Sequence, residues 1–130
     1  MSNVNSILVV DADRSARSGL ARLLRTAGYA VCEFASADEF QHALAREIPG
    51  CVVLDAGRCG PPSEGLWTNS LTRDATPPII VVAIDDDAEI KRRAQQMNAV
   101  GFFRKPVDGT ALLDAIDWVL RSNPLDNKRT

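Results

Sequence analysis

The chain has 130 residues, 45% hydrophobic and 25% charged, which fits one globular domain with one core and excludes a disordered or fibrous protein. The formal net charge is −2, so long-range attraction to nucleic acid or to an anionic membrane is not expected. The apolar runs are much shorter than the roughly 20 residues that cross a bilayer. The first residues, MSNVNS, lack the pattern of a signal peptide, and we therefore expect a cytoplasmic protein.

The cysteines and tryptophans suggest packing roles. Cys32, Cys51 and Cys59 form no CxxC pair, and an odd number without an export signal favours reduced thiols. Cys32 and Cys51 lie in apolar, strand-like runs and are expected in the core, whereas Cys59 lies in a predicted loop. Trp67 and Trp118 are expected to pack helices.

Strand and helix patterns alternate in the first half of the chain. Residues 7–10 form a short apolar run, and the helical pattern that follows stops at Gly28. A second strand is predicted over residues 30–34. Ser36 and Glu39 form a capping box that opens the next helix, which Pro49 ends together with the glycine after it.

The alternation continues in the second half. A third strand is predicted over residues 51–54, and a loop rich in glycine and proline separates it from a short helix over 66–71. A fourth strand over 79–83 and a fifth over 100–103 are each followed by a helical pattern. We assign residues 1–122 to one domain and residues 123–130 to a tail or linker stub.

The strands are continuously apolar, which indicates burial on both faces and hence a parallel sheet with helices on either side. Five such units predict an α/β fold: a doubly wound five-stranded parallel sheet of flavodoxin-like type, (βα)5. In such a sheet the binding crevice lies at the carboxyl ends of the strands.

Charged residues follow the strands at that edge. Asp11 and Asp13 follow the first strand, Asp55 the third, an acidic run at 85–87 the fourth, and Lys105 the fifth. Carboxylates beside a lysine could hold Mg²⁺ and a phosphoryl group. Asp13 and the 85–87 run are better explained as helix caps or loop charges. Asp11 and Asp55 end apolar runs, where burial makes an unpaired carboxylate costly. A functional reason is therefore expected for a carboxylate at each of these two positions.

Three segments, VVDADR at 9–14, VVLD at 52–55 and FFRKP at 102–106, resemble the motifs of response-regulator receiver domains of two-component signalling. The resemblance extends from about residue 7 to residue 120 and is strongest to receivers that precede helix-turn-helix DNA-binding domains. It implies that Asp55 accepts a phosphoryl group, that Asp11 and Asp55 hold Mg²⁺, and that Lys105 pairs with the phosphoryl oxygens. It also implies a cis peptide bond before Pro106.

The chain departs from the receiver pattern, which makes it atypical. Ala12 replaces the second of two adjacent acids, so Mg²⁺ binding is expected to be impaired, with Asp13 as a poor substitute. By this resemblance, Val82 occupies the position of the family's Ser or Thr. The hydroxyl of that residue binds the phosphoryl group, and the rotamer of an aromatic residue, here Phe102, follows it. Valine cannot donate, so this switch is not expected to operate. The loop after Asp55 also lacks the usual Met-Pro-Gly turn and carries Arg58.

Three functions remain open. The first is a receiver that is phosphorylated on Asp55 by a histidine kinase or phosphotransfer protein. The second is a degenerate receiver that acts as an interaction module without phosphate. A minor third is a haloacid-dehalogenase-like phosphohydrolase, because the spacing of Asp11 and Asp13 after an apolar strand resembles the nucleophile motif of those enzymes.

The first two functions imply the same contact surface. We expect no enzymatic turnover from either. Many receivers dimerise through the face made by the fourth helix, the fifth strand and the fifth helix, and a homodimer through that face is a further expectation. A DNA-binding effector domain outside this chain would supply the output.

Overall fold

The computed structural model describes residues 3–36, 49–55, 77–84, 88–96 and 99–122. Its elements are β1 (Asn3–Val10), α1 (Arg14–Thr26), β2 (Ala30–Phe34), β3 (Pro49–Asp55), β4 (Ile79–Ala83), α2 (Ala88–Gln96), β5 (Gly101–Arg104) and α3 (Gly109–Arg121). Helices α2 and α3 are the fourth and fifth helices of the sequence prediction. The predicted helices between β2 and β3 and over 66–71 lie outside the described residues, as do Arg58, Cys59, Trp67, the 85–87 run and the tail.

The five strands form one parallel sheet in the order β2-β1-β3-β4-β5. The chain moves outward from β1 to β2 and then returns to the other side of β1 to place β3. This reversal makes the sheet doubly wound, as predicted, and puts the switch point between β1 and β3. The residues that follow these two strands therefore lie side by side.

Both faces of the sheet are covered by helices. Leu24 of α1 and Ile116 of α3 pack against alternate strand residues, among them Val9 and Val53. The intervening residues, among them Val10, face the opposite way and pack with Ala94 of α2. Successive side chains of a strand point to opposite faces, so two clusters form, one on each side of the sheet. We call the cluster with α1 and α3 the first core and the cluster with α2 the second core.

Burial differs between central and edge strands. Every described residue of β4 is buried, whereas β2 and β5 at the two edges are only partly covered. Cys51 on β3 is buried, as predicted, but Cys32 on β2 is exposed. The prediction for Cys32 was wrong because an apolar run does not distinguish an edge strand from a central one. Trp118 is 64% exposed, so the expectation that it packs between helices was also wrong.

Two strands begin earlier than the sequence predicted. Pro49, predicted to end a helix, is the first residue of β3 and pairs with Asn3 of β1. A proline is tolerated at the first residue of a strand. The polar start of β1 extends the strand through this backbone pairing, which an apolar pattern does not reveal. Among the described helices, none combines the length and apolar character needed to cross a membrane.

Candidate functional site

Two buried carboxylates lie at the carboxyl edge of the sheet, at the switch point. Asp11 directly follows β1, and Asp55 is the last residue of β3. Their preceding residues, Val10 and Leu54, are register partners in the neighbouring strands. Asp11 is 1% exposed and Asp55 is 2% exposed. The carboxylates are therefore adjacent and almost fully removed from water, as predicted.

Lys105 brings a positive charge to both carboxylates. Its Nζ donates to Asp11 Oδ2 at 2.9 Å and lies 3.6 Å from Asp55 Oδ2. Its backbone N–H donates to the carbonyl of Ala83 at 2.8 Å, which continues the pairing of β5 with β4 beyond the end of the strand. The Lys105–Pro106 peptide bond is cis, as expected. The lysine from the edge strand thus reaches across the end of β4 to β1 and β3.

The electrostatics of this pocket keep the lysine charged. Burial alone would lower the pKa of Lys105, but the hydrogen bond to Asp11 and the charges of Asp55, Asp11 and Asp13 outweigh it and raise that pKa. One ammonium therefore neutralises one of two buried carboxylates. Among the described residues, no group donates a hydrogen bond to Asp55 Oδ2, and this oxygen lies within ion-pair distance of Lys105 Nζ.

Asp13 has the capping role that the sequence favoured. It is the N-cap of α1, and its Oδ1 accepts hydrogen bonds from the backbone N–H groups of Ser15 and Ala16. Its own N–H donates to Asp11 Oδ1 at 2.8 Å. Asp13 is exposed, in contrast to Asp11. It therefore orients Asp11 through its backbone and uses a carboxylate oxygen to begin the helix.

The expected pairing of Val82 with Phe102 is wrong. Val82 points into the first core, whereas Phe102 packs against the second core on the other side of the sheet. Phe102 is the register partner of Val81, and the next residue of β4 that shares this face is Ala83. Ala83 is 0% exposed and lies at the carboxyl end of β4. At the end of β4, Ala83 and not Val82 therefore shares the face of Phe102, and alanine cannot donate a hydrogen bond either.

The two carboxylates at this edge are ligands that fit Mg²⁺. Asp11 and Asp55 supply two adjacent carboxylates, and Mg²⁺ in proteins is often bound by one or two carboxylates, with water and phosphate oxygens completing its shell. Ala12 adds no ligand, and within the described segments no group of three metal-binding side chains occurs. The nearby ammonium of Lys105 also opposes a second cation.

Two contacts beside the pocket were not predicted. Arg17 of α1 donates to the backbone carbonyl of Asp11 at 2.7 Å, and Glu33 of β2 lies 3.6 Å from Arg17 Nε. The helical pattern shows that Arg17 lies one turn into α1, but not that it turns back to β1. Glu33 interrupts an apolar strand, and that interruption was the available signal for a charge partner.

The chain matches the model of the response regulator receiver domain over residues 7–117. It is 32% identical to the transcriptional regulatory protein TdiR of Thauera aromatica over 93% of this chain and 53% of the relative. It is 30% identical to the transcriptional regulatory protein FixJ of Bradyrhizobium diazoefficiens, over 93% of this chain and 59% of the relative. The chain thus spans only about half the length of these relatives.

Solved structures agree with the sequence matches. Full-length FixJ of B. japonicum superimposes with a TM-score of 0.81 at 28% identity, over 98% of this chain and 63% of that one. A receiver protein from Burkholderia phymatum gives a TM-score of 0.73 at 30% identity, over 88% of this chain and 94% of that one. Together with the pocket geometry, these matches identify the chain as a member of the response regulator receiver domain family, the signalling module of two-component systems.

Proposed function

We propose that this receiver accepts a phosphoryl group on Asp55. The observation that supports this most directly is the buried pair of Asp11 and Asp55 with Lys105 Nζ within 2.9 and 3.6 Å of them. A buried pair of like charges sharing one ammonium lowers stability, so a purely structural role explains it poorly. A role in phosphoryl transfer explains all three residues.

Each residue would have one task in the transfer. An oxygen of Asp55 forms the new P–O bond while the P–N bond of a phosphohistidine donor breaks, and the imidazole nitrogen then takes a proton from solvent. Lys105 is charged and able to donate to a phosphoryl oxygen, which disperses the charge of the transferred group. Asp11 holds Lys105 in reach of Asp55 through the 2.9 Å hydrogen bond.

Mg²⁺ would be held by Asp11 and Asp55 and would neutralise charge on the phosphoryl oxygens. Because Ala12 contributes no carboxylate, we expect this ion to bind weakly and the reaction to need more Mg²⁺ than in receivers with two adjacent acids. Ala12 is exposed and therefore leaves room for water at this position.

The partners follow from the same role. We propose a histidine kinase or phosphotransfer protein as the donor, and residues 1–122 as the receiver unit, with 123–130 leading to an effector. Both TdiR and FixJ are transcriptional regulatory proteins about twice the length of this chain, which supports a DNA-binding effector domain as the output. The face made by α2, β5 and α3 is the surface we propose for dimerisation; Trp118 on α3 is a large hydrophobic residue that is exposed. We place the protein in the cytoplasm.

Phosphorylation is tested by incubating the protein with acetyl phosphate and Mg²⁺ and following the intact mass. We expect the mass of one phosphoryl group to be added, and the addition to require both Asp55 and Mg²⁺. Asp114→Asn, an exposed substitution on α3, is the matched control for Asp55→Asn. An unchanged mass at saturating donor and Mg²⁺ contradicts the proposal.

A degenerate receiver that works without phosphate is the second candidate, because the end of β4 offers no hydroxyl. If phosphorylation fails to change the signalling surface only because this hydroxyl is missing, Ala83→Ser should restore the response. A serine hydroxyl there could donate to the phosphoryl group, and a hydrogen bond to a charged group is worth about 1.5–3 kcal/mol. We expect about a tenfold longer lifetime of the phosphorylated form. Val82→Ser is the control, because its hydroxyl would enter the first core and only destabilise the fold. Equal lifetimes for both variants would contradict the assignment of Ala83.

The phosphohydrolase alternative lacks a specific observation in its favour. It would need Asp13 as a second catalytic acid beside Asp11, yet Asp13 Oδ1 already accepts two backbone hydrogen bonds at the start of α1. Asp55 would also have no task in that reaction. Absence of phosphatase turnover in the same acetyl phosphate assay would exclude it.

A further inference from the structure

We propose that Arg17 is a positioning residue for the acidic pocket, which it holds in place through the backbone carbonyl of Asp11. The guanidinium Nη1 donates to this carbonyl at 2.7 Å. Arg17 does not contact Asp55 or Lys105 in any described interaction, so its influence on the chemistry passes through Asp11. This inference rests on the proposed role of Asp11 beside Asp55.

Asp11 is held at every polar atom. Its N–H donates to the Phe34 carbonyl at 3.0 Å, and its Oδ1 accepts from the Asp13 N–H at 2.8 Å. Its Oδ2 accepts from Lys105 Nζ at 2.9 Å. The carbonyl oxygen is the fourth polar atom, and Arg17 is its donor. Because β1 ends at Val10, this carbonyl lies beyond the last residue of the strand and depends on a side chain.

Arg17 is itself fixed on its other side. Its Nε lies 3.6 Å from Glu33 Oε1, and its side chain is 16% exposed. The other oxygen of Glu33 lies 3.2 Å from Arg25 Nη1, which anchors Glu33 as well. The guanidinium therefore spans from β2 to the end of β1 in one orientation, as a planar group with several donors can. A lysine at this position would lack the planar, fixed set of donors by which Arg17 contacts both acceptors.

The chain contains a matched control for Arg17. Arg25 lies on the same helix, also pairs with Glu33, and also donates to a strand carbonyl, that of Val31, at 3.0 Å. Arg25 makes no described contact with Asp11 or any other pocket residue. A merely structural contribution of an α1 arginine should therefore appear equally in Arg17→Gln and Arg25→Gln. An effect on the pocket should be much larger in Arg17→Gln, because Arg25 is connected to Arg17 only through Glu33.

The first experiment measures the pocket without metal. Amide hydrogen exchange reports on the Asp13 N–H, which donates to Asp11 Oδ1. We expect about tenfold faster exchange at Asp13 in Arg17→Gln, a much smaller increase in Arg25→Gln, which acts only through Glu33, and an intermediate rate in Arg17→Lys. Equal exchange at Asp13 in wild type and Arg17→Gln would overturn the proposal. If Arg17→Gln does not fold, amide exchange at Asp13 is measured in Arg17→Lys instead, and a rate equal to that of the wild type would overturn the proposal.

The second experiment measures Mg²⁺ affinity by NMR titration with MgCl₂. Loss of a residue that orients a metal ligand typically weakens binding by about 10–100-fold, and we expect a loss in this range for Arg17→Gln only. An equal loss in Arg25→Gln would overturn the positioning role. If wild-type protein neither binds Mg²⁺ nor accepts a phosphoryl group, the proposed function fails, and the Asp13 amide alone then decides the role of Arg17.

Discussion

The carboxylates of Asp11 and Asp55 illustrate how single residues that serve a function can lower the stability of the fold. Each is almost fully buried, and together they share the one ammonium of Lys105. Like charges in close proximity destabilise the folded state unless a positive charge, such as a bound cation, neutralises them. The pocket is therefore expected to be a site where function costs stability.

Substitutions in this pocket should have opposite effects on stability. Asp55→Asn should raise the free energy of unfolding by about 1 kcal/mol, because it removes one of two like charges. Lys105→Met should lower it by about 3 kcal/mol, because both buried carboxylates then lose the ammonium of Lys105. Urea denaturation measures both effects. The exposed substitution Asp114→Asn should change the value by less than about 0.5 kcal/mol. A loss of stability in Asp55→Asn would contradict the charge argument.

Helix α1 shows how an element joins fold and site. Asp13 begins it and also donates its N–H to Asp11, while Arg17 in its second turn donates to the Asp11 carbonyl. Its end is set by Gly28, which has a φ of 102° and whose N–H donates to the Arg25 carbonyl. The helix is therefore fixed at both ends by local sequence, and its placement fixes Asp11.

Two glycine substitutions test this description of α1. Gly28→Ala should lower the free energy of unfolding by about 1 kcal/mol, because alanine is strained at a positive φ. Gly19→Ala should raise it by up to about 1 kcal/mol, because alanine favours the helix interior. A Cβ at either position would meet no atom within 4 Å, so steric contact does not confuse the comparison. Thermal unfolding of the two variants measures this; a change of the same sign in both would contradict it.

At the scale of the molecule, the described residues form two cores, one on each side of the sheet. The first core lies beneath α1 and α3, and the second beneath α2. Cys51 belongs to the first core, and burial raises the pKa of its thiol to about 12. Burial also raises the pKa of Tyr29, which packs against the same core. The folded state therefore retains protons that the unfolded chain releases at alkaline pH.

Stability should consequently fall as the pH rises above about 9. The contribution of Cys51 is complete below the thiol pKa of the unfolded chain and is lost as the pH rises towards about 12. The slope from one such group is at most about 1.4 kcal/mol per pH unit. Urea denaturation from pH 7 to 10.5 measures the decline, and Cys51→Ala should reduce its slope. An identical slope in the variant would contradict the assignment to Cys51.

The sequence by itself determined the order of the described strands and helices, the parallel sheet and the acidic edge. These follow from short-range patterns: apolar runs, a cap at Asp13, a stop at Gly28, and polar residues at the ends of strands. Asp11, Asp55 and Lys105 could be found because each ends or follows an apolar run, and the fold brings strand ends to one edge.

Only the tertiary structure decided which side chains share a face and which are covered. Whether Val82 or Ala83 lies beside Phe102 depends on the register of β4 with β5, because a shift of one residue reverses the face. Cys32 is exposed because β2 lies at an edge, and Arg17 reaches Asp11 because α1 packs across β1 and β2. These outcomes arise from contacts between residues far apart in the chain, which no local pattern records.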